Sequence, residues 1–185
     1  MKPVACDRAQ LILGVLAAQG VCVKPVVRDL VSRFGPLAMV SRWMPFTDTH
    51  YYKSEMGGPL LRRALAFERP VDQGDLVEIK EITNQLEERF SCDGARRVNL
   101  DPGLLLPSRF VLATAKDCAH RVYLSRGFYA DLTLIYKGGA FKALPWTYPD
   151  YKSGPMYDFL TDARRRFLRR GARRERVAFC HQYYK

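Results

Sequence analysis

The chain has 185 residues, of which 48% are hydrophobic and 26% are charged. These proportions are ordinary for a folded protein and exclude wholesale disorder, and the length suits one domain with a substantial core. The formal net charge of +11 is concentrated near the C-terminus, where eight arginines lie between Arg164 and Arg176. We therefore predict a single domain over residues 1–168, followed by a basic extension over residues 169–185.

The cysteines and the first apolar segment bear on the expected compartment. None of the five cysteines forms a CxxC pair, so neither a disulfide framework nor a zinc site is predicted. A membrane-spanning helix needs about 20 apolar residues, and the apolar run Leu11–Ala18 is much shorter. We expect a cytoplasmic protein with free thiols and no membrane association.

The first half of the chain alternates between strand and helix patterns. Gln10–Ala18 is continuously apolar, which is typical of a strand buried on both faces. Lys24–Phe34 predicts a helix, because its apolar residues recur at helical spacing and a proline lies in its first turn. Further strands are predicted over Leu37–Met44 and Leu60–Glu68. Asp75–Phe90 predicts a second helix with an apolar stripe.

The second half predicts an antiparallel meander and a final helix. The expected strands are Arg96–Leu100, Arg109–Lys116, His120–Ser125, Phe128–Tyr136 and Phe141–Leu144. Asp101–Gly103 predicts a turn, and Arg126–Gly127 predicts the two-residue turn of a hairpin. Pro145–Tyr151 is too rich in proline for a regular element and is expected to be an irregular loop. The last helix is expected to begin at Ser153 or Gly154.

This order of elements predicts the fold class. The first six elements have the order βαββαβ, which matches the split βαβ, ferredoxin-like arrangement. The later strands would extend the same sheet. We predict an α+β fold with a ferredoxin-like start, an antiparallel meander, helices mainly on one face and a C-terminal helix that carries the basic tail.

Several catalytic motifs are missing from the sequence. It has no G-x-x-x-x-G-K-[ST] phosphate loop and no G-x-G-x-x-G fingerprint. It also has no G-x-S-x-G elbow and no H-E-x-x-H motif. The three histidines are scattered along the chain, so no metal site is predicted, and any cofactor is unknown.

One face of the second predicted helix is polar. Lys80, Thr83, Asn84 and Glu87 have the spacing i, i+3, i+4 and i+7, which places them on one contiguous face. Solvation is the usual reason for such a face. If the face lies beside the charged strand ends, Lys80, Asn84 and Glu87 become candidate ligand contacts.

Charged side chains also lie at the ends of the predicted strands. Lys116 and Arg121 are suited to binding phosphate or carboxylate. His120 is the best candidate for general acid–base catalysis, because free histidine titrates at a pKa of about 6.5, and Asp101 or Asp117 would orient it. The alternative is a buried ion-pair network that only fixes the register of the sheet, and spacing alone favours that alternative.

Five largely polar motifs occur in order along the chain. They are Phe46–Gly57, Ile79–Glu87, Val98–Gly103, Lys116–Arg121 and Pro145–Tyr151. With them the chain resembles the bacterial family called domain of unknown function 4416, which is uncharacterised. Some members carry the label GTP-binding protein, but the missing phosphate loop gives no reason to expect GTP chemistry.

The resemblance implies a shared polar site, because the signature positions of the family are mostly polar. It brings Thr49, Tyr52 and Asn99 into the set of candidate ligand contacts. It does not extend to the arginine-rich segment after Leu168. The resemblance therefore shifts the balance from a purely structural network towards a binding site.

Three functional hypotheses follow. In the first, a polar pocket binds a small anionic ligand, phosphate-like or nucleotide-like, and whether it also catalyses a reaction is open. Its parts would be Val98–Tyr136, the helix face Lys80–Glu87 and the loop Thr49–Glu55. In the second, the arginines of Arg164–Arg176 bind nucleic acid, RNA in particular, through its phosphates. The third is a protein-interaction role.

Overall fold

A computed structural model describes residues 6–47, 52–152 and 154–183, with side chains for all of these except 53, 54 and 172–183. The chain has a mixed α+β fold. The strands are β1 (Ala9–Ala18), β2 (Leu37–Val40), β3 (Met44–Phe46), β4 (Leu60–Val71), β5 (Val98–Leu105), β6 (Arg109–Thr114), β7 (Arg121–Ser125), β8 (Phe128–Lys137) and β9 (Ala140–Ala143). The helices are α1 (Lys24–Phe34), α2 (Lys53–Met56), α3 (Leu76–Arg89), α4 (Pro149–Lys152) and α5 (Gly154–Tyr183).

All nine strands belong to one antiparallel sheet. Its order is β2-β4-β1-β5-β6-β8-β7, with β3 also beside β4 and β9 also beside β8. β1 lies inside the sheet, between β4 and β5, and Ala9–Ala17 are buried along its length. The continuous apolar run in the sequence is therefore a strand covered on both faces.

The helices divide between the two faces of the sheet. Leu11 and Leu13 point towards α1 and α3, whereas Ile12 shares a core with α5. Each leucine buried in this way contributes roughly 1.5–3 kcal/mol relative to an exposed one. The prediction of helices mainly on one face is wrong. Alternate side chains of β1 point to opposite faces of the sheet, and because both sets are apolar, a helix packs on each face.

The segment Asp101–Gly103 forms the middle of β5, not a turn. Pro102 pairs with Leu13 of β1, while the pairing of β5 with β6 begins only at Gly103. The missing N–H of a proline is tolerated where one edge of a strand is unpaired. Gly103 is needed for packing, because a Cβ at this position would lie 2.7 Å from the Phe110 ring.

Two other segments differ from the predicted elements. The single strand predicted over Leu37–Met44 is split into β2 and β3, because Ser41 interrupts it. The backbone N–H of Ser41 donates to the Ala64 carbonyl at 2.9 Å, and its Oγ accepts from the Ala64 N–H at 2.8 Å. The end of the loop predicted over Pro145–Tyr151 belongs to α4, in which Pro149 takes the first helical position that proline favours.

The last helix continues past the predicted domain boundary at residue 168, since α5 runs to Tyr183. Its first arginines contact the sheet. Arg164 Nε donates to the Pro107 carbonyl at 2.7 Å, and the Arg164 guanidinium lies over the Tyr136 ring. Arg170 forms an ion pair with Glu68 at 3.0 Å. Among the helices within the described ranges, none is long and apolar enough to cross a membrane.

Replacing Gly103 with alanine should destabilise the protein. The added Cβ would clash with the Phe110 ring, and such overpacking costs about 1–3 kcal/mol of unfolding free energy. Gly74→Ala is the matched control, because a Cβ there meets no atom within 4 Å. Urea denaturation measures both variants, and equal midpoints would contradict the packing role of Gly103.

Candidate functional site

A cavity of about 320 Å³ lies on the sheet face that α4 covers. It opens where β5 and β6 separate, because only Gly103–Leu105 of β5 pair with β6. The residues that line it are Leu16, Phe46, Tyr52, Arg62, Asp101, Leu112, Ala113, Thr114, Lys116, Arg121, Asp131, Tyr148, Pro149, Asp150 and Tyr151. Charged, aromatic and aliphatic side chains from both halves of the chain therefore meet in one place.

Arg62 is a deeply buried cation of the cavity, with 8% of its side chain exposed. Its Nη1 donates to the carboxylate of Asp150, and its Nη2 lies 3.3 Å from Asp101 Oδ2. Nη2 also donates to the Tyr151 hydroxyl at 2.8 Å. The guanidinium lies over the rings of Phe46 and Tyr151. Arg62 is thus held by ion pairs, a hydrogen bond and cation–π contacts at once.

Gly14 makes room for this guanidinium in the centre of the sheet. A Cβ at Gly14 would lie 3.1 Å from Arg62 Nη2 and 3.6 Å from the Asp101 Cβ. Glycine weakens the interior of a strand and is found where another group approaches closely. The glycine in an otherwise apolar strand therefore belongs to the cavity.

Burial and charge act in opposite directions on the groups around Arg62. Burial works to lower the pKa of Arg62, but Tyr151, Asp150 and Asp101 together raise it, so the guanidinium stays charged. Burial is also the main reason why the pKa of Tyr151 is raised. The phenol therefore remains protonated while its oxygen accepts the hydrogen bond from Arg62.

Arg121 forms a second ion pair at the other side of the cavity. Its Nε donates to Asp131 Oδ2 at 2.9 Å, and 4% and 3% of the two side chains are exposed. Nη1 donates to the Lys116 carbonyl at 2.8 Å, and Nη2 donates to the Tyr148 hydroxyl at 2.9 Å. Burial works to lower the pKa of Arg121, but Asp131 and Tyr148 together raise it, so the guanidinium stays charged.

His120 lies beside Asp131 and outside the cavity lining. Its ring is stacked on Trp146, with centroids 4.9 Å apart. His120 Nε2 is 3.4 Å from Asp131 Oδ2, without the angles of a hydrogen bond. Asp117 is exposed and hydrogen-bonds to Tyr129. Of the three predicted catalytic residues, only Asp101 lines the cavity.

A separate polar network joins α3 to β5. Lys80 Nζ donates to the Leu100 carbonyl at 2.9 Å, and Glu87 Oε1 accepts from the Leu100 N–H at 2.7 Å. Arg96 Nη1 bridges Glu87 and Asn99, at 3.1 and 3.0 Å. These bonds link the helix to the backbone of the strand. Such links agree with the alternative interpretation of the sequence, a buried ion-pair network that fixes the register of the sheet.

Arg96 also connects this network to α2. Its Nε and Nη2 donate to the two carboxylate oxygens of Glu55, both at 2.7 Å. The paired bonds lower the pKa of Glu55, whereas burial raises the pKa of Glu87. Nothing in the sequence indicates a role for Arg96, because a basic residue at the start of a predicted strand gives no sign of its partners.

The predicted site residues are therefore divided. Those that line the cavity are Tyr52, Asp101, Lys116 and Arg121. Those in the Arg96 network are Lys80, Glu87 and Asn99. Asn84 is half-buried on α3 outside the cavity lining, and Thr49 lies outside the described residues.

The sequence pattern also gives no indication of Arg62, Asp150 and Tyr151 as cavity residues. Arg62 has an alternating position in a strand, which gives no sign of burial, and the other two lie in a segment that is predicted to be an irregular loop. A signal was present in Gly14, a glycine inside an apolar strand. Among the described residues, no group of three or more His, Cys, Asp or Glu side chains is arranged to hold a metal ion.

The fold and the cavity define an α+β domain with a charged pocket on one face of an antiparallel sheet. A family model described as domain of unknown function (DUF4416) matches residues 7–167. The chain belongs to this family, which confirms the resemblance drawn from the five motifs. The match spans every residue that lines the cavity. Neither the curated proteins nor the solved structures yield a match.

Replacing Arg62 with methionine should destabilise the fold strongly. The change removes the guanidinium that pairs with Asp101 and Asp150, and breaking a buried ion pair costs about 3–5 kcal/mol. Arg63→Met is the control, since Arg63 donates one hydrogen bond to the Ser41 carbonyl and such a bond is worth about 1 kcal/mol. Thermal and urea unfolding measure both. A smaller loss for Arg62→Met than for Arg63→Met would show that the cluster does not stabilise the fold.

The cost of Glu87→Gln should depend on pH. Because the pKa of Glu87 is raised by folding, its stabilising contribution is complete below the unfolded pKa of about 4.3 and is lost as pH rises through the folded value. The difference in unfolding free energy between the parent and Glu87→Gln should therefore shrink as pH rises from 4. Urea titrations at several pH values measure it, and a difference that grows with pH would contradict the burial of this carboxyl group.

Proposed function

We propose that the chain binds a small anionic ligand, phosphate-like or nucleotide-like, in the 320 Å³ cavity. The observation that carries the proposal is that Arg62, Lys116 and Arg121 line one cavity although they come from separate segments. Cationic side chains that converge on a concave, partly apolar pocket are a common arrangement for binding charged small molecules.

The walls of the cavity support a ligand that has a ring as well as an anionic group. Phe46, Tyr52 and Tyr148 contribute aromatic rings to the lining. Ligand pockets usually have volumes of about 300–1,000 Å³, and this cavity is near the lower limit. A sugar phosphate or a mononucleotide suits it better than a dinucleotide.

The three cations would have different tasks. Arg62 is engaged by Asp101, Asp150 and Tyr151, so it holds the base of the cavity. Lys116 is exposed and would meet the anionic group at the entrance. Arg121, of which 4% of the side chain is exposed, would contact the anionic group from inside the cavity.

Asp131 is one carboxylate that could exchange a proton with a bound ligand. Asp131 lines the cavity and His120 lies against its carboxylate. His120 would thus act as a positioning residue, and Asp101 is the other carboxylate that could accept a proton from the ligand.

We also infer that the first part of the fold is a ferredoxin-like split βαβ unit. The strand order β2-β4-β1-β5 and the antiparallel pairing of these strands support it. So do α1 and α3, which share one face of the sheet. A cytoplasmic location in a bacterium agrees with the exposed free thiols of Cys6, Cys22, Cys92 and Cys118.

Nucleic-acid binding by Arg164–Arg176 is the second candidate function. The continuation of α5 to Tyr183 would present these arginines on a helix. Arg164 and Arg170, however, contact Pro107 and Glu68 of the same chain. The geometry therefore favours the cavity as the principal site.

Ligand binding to the cavity should raise the melting temperature. A thermal-shift panel of nucleoside monophosphates, sugar phosphates and divalent cations should include at least one stabilising compound, because a ligand that binds the folded state stabilises it by mass action. The double variant Lys116→Gln and Arg121→Gln should abolish the shift, whereas Lys142→Gln on β9 should retain it. Retention of the shift in the double variant, or no shift with any compound, would refute the proposal.

A further inference from the structure

The charges that line the cavity are balanced. Its cations are Arg62, Lys116 and Arg121, and its carboxylates are Asp101, Asp131 and Asp150. The formal charge of the lining is therefore zero. A cavity built only to attract a polyanion would carry an excess of positive charge.

Ion pairs between cations and carboxylates lie within the cavity lining. Arg62 is paired with Asp150 and Asp101, and Arg121 is paired with Asp131. A ligand with several negative charges would bring them close to three carboxylates and would be repelled. The ion pairs thus limit the negative charge that the cavity accepts.

Asp101 has acceptor capacity to spare. Its carboxylate contacts Arg62 Nη2 at 3.3 Å, which is a long hydrogen bond, and 28% of the side chain is exposed. An ionised carboxylate has about four acceptor sites and no donor. The chemical group that complements it is a hydroxyl or an amine of the ligand.

Resting on the proposed function, we infer that the ligand is a hydroxyl-bearing phosphate monoester, such as a pentose phosphate, and that donor-free inorganic polyanions are rejected. The phosphoryl group would meet Lys116 and Arg121, while the sugar hydroxyls would donate to Asp101. The aromatic rings of Phe46 and Tyr52 would cover the carbon skeleton. Recognition would then depend on paired donors and acceptors in addition to net charge.

Calorimetric titrations of the full chain with ribose 5-phosphate and with pyrophosphate, at equal ionic strength, test the inference. Ribose 5-phosphate should bind roughly 10- to 100-fold more tightly, which corresponds to one hydrogen bond to a charged group. Asp101→Asn should reduce this preference, because it should lower the affinity for ribose 5-phosphate and raise the affinity for pyrophosphate. Asp117→Asn, an exposed carboxylate outside the cavity, should leave the preference unchanged.

The outcomes separate the inference from the proposal on which it rests. Pyrophosphate binding as tightly as the ester, in a manner that needs Lys116 and Arg121, would overturn the inference and leave the anion site intact. No binding of either compound or of the wider panel would overturn both. If Asp101→Asn unfolds more easily, ribose 5-phosphate and its 2-deoxy analogue are compared on the parent chain. Equal affinities for these two and for pyrophosphate would contradict a role for ligand hydroxyls.

Discussion

The buried guanidinium of Arg62 is the constraint on which the cavity depends. Transfer of an ion out of water costs several kcal/mol unless partners replace the lost hydration. Those partners are Asp101 on β5 and Asp150 and Tyr151 on α4. Satisfying Arg62 therefore docks α4 on the sheet and forms one side of the cavity, and Gly14 leaves the space that the guanidinium occupies.

The polar residues of this protein form two assemblies with different character. The network around Arg96 ties α2 and α3 to β5 and is closed by bonds to the Leu100 backbone. The pairs made by Arg62 and Arg121, by contrast, face a cavity. A binding site whose charged groups are already oriented loses little freedom when a ligand enters. The residues of the Arg96 network are therefore separate from those of the proposed ligand site.

Local sequence signals worked where local interactions decide the conformation. α1 has the predicted bounds Lys24–Phe34, and the hairpin turn places Arg126 and Gly127 at φ of 53° and 79°, as a two-residue turn requires. They failed at Asp101–Gly103, where strand pairing overrides the turn preference and Gly103 serves Phe110. Local signals also failed to predict which face of the sheet each helix covers. Periodicity shows that a helix or strand face is apolar, but it does not show which element packs against that face.

By itself, the sequence determined the α+β order of elements, the family, and part of the cavity lining, including Asp101, Lys116 and Arg121. The tertiary structure alone decided which ions are paired. Arg62 meets Asp101 and Asp150 across 39 and 88 positions of the chain, and neither helical nor strand periodicity carries information over such separations. The partners of a buried charge are set by the folded sheet that brings distant segments together, and so the centre of the cavity could be found only there.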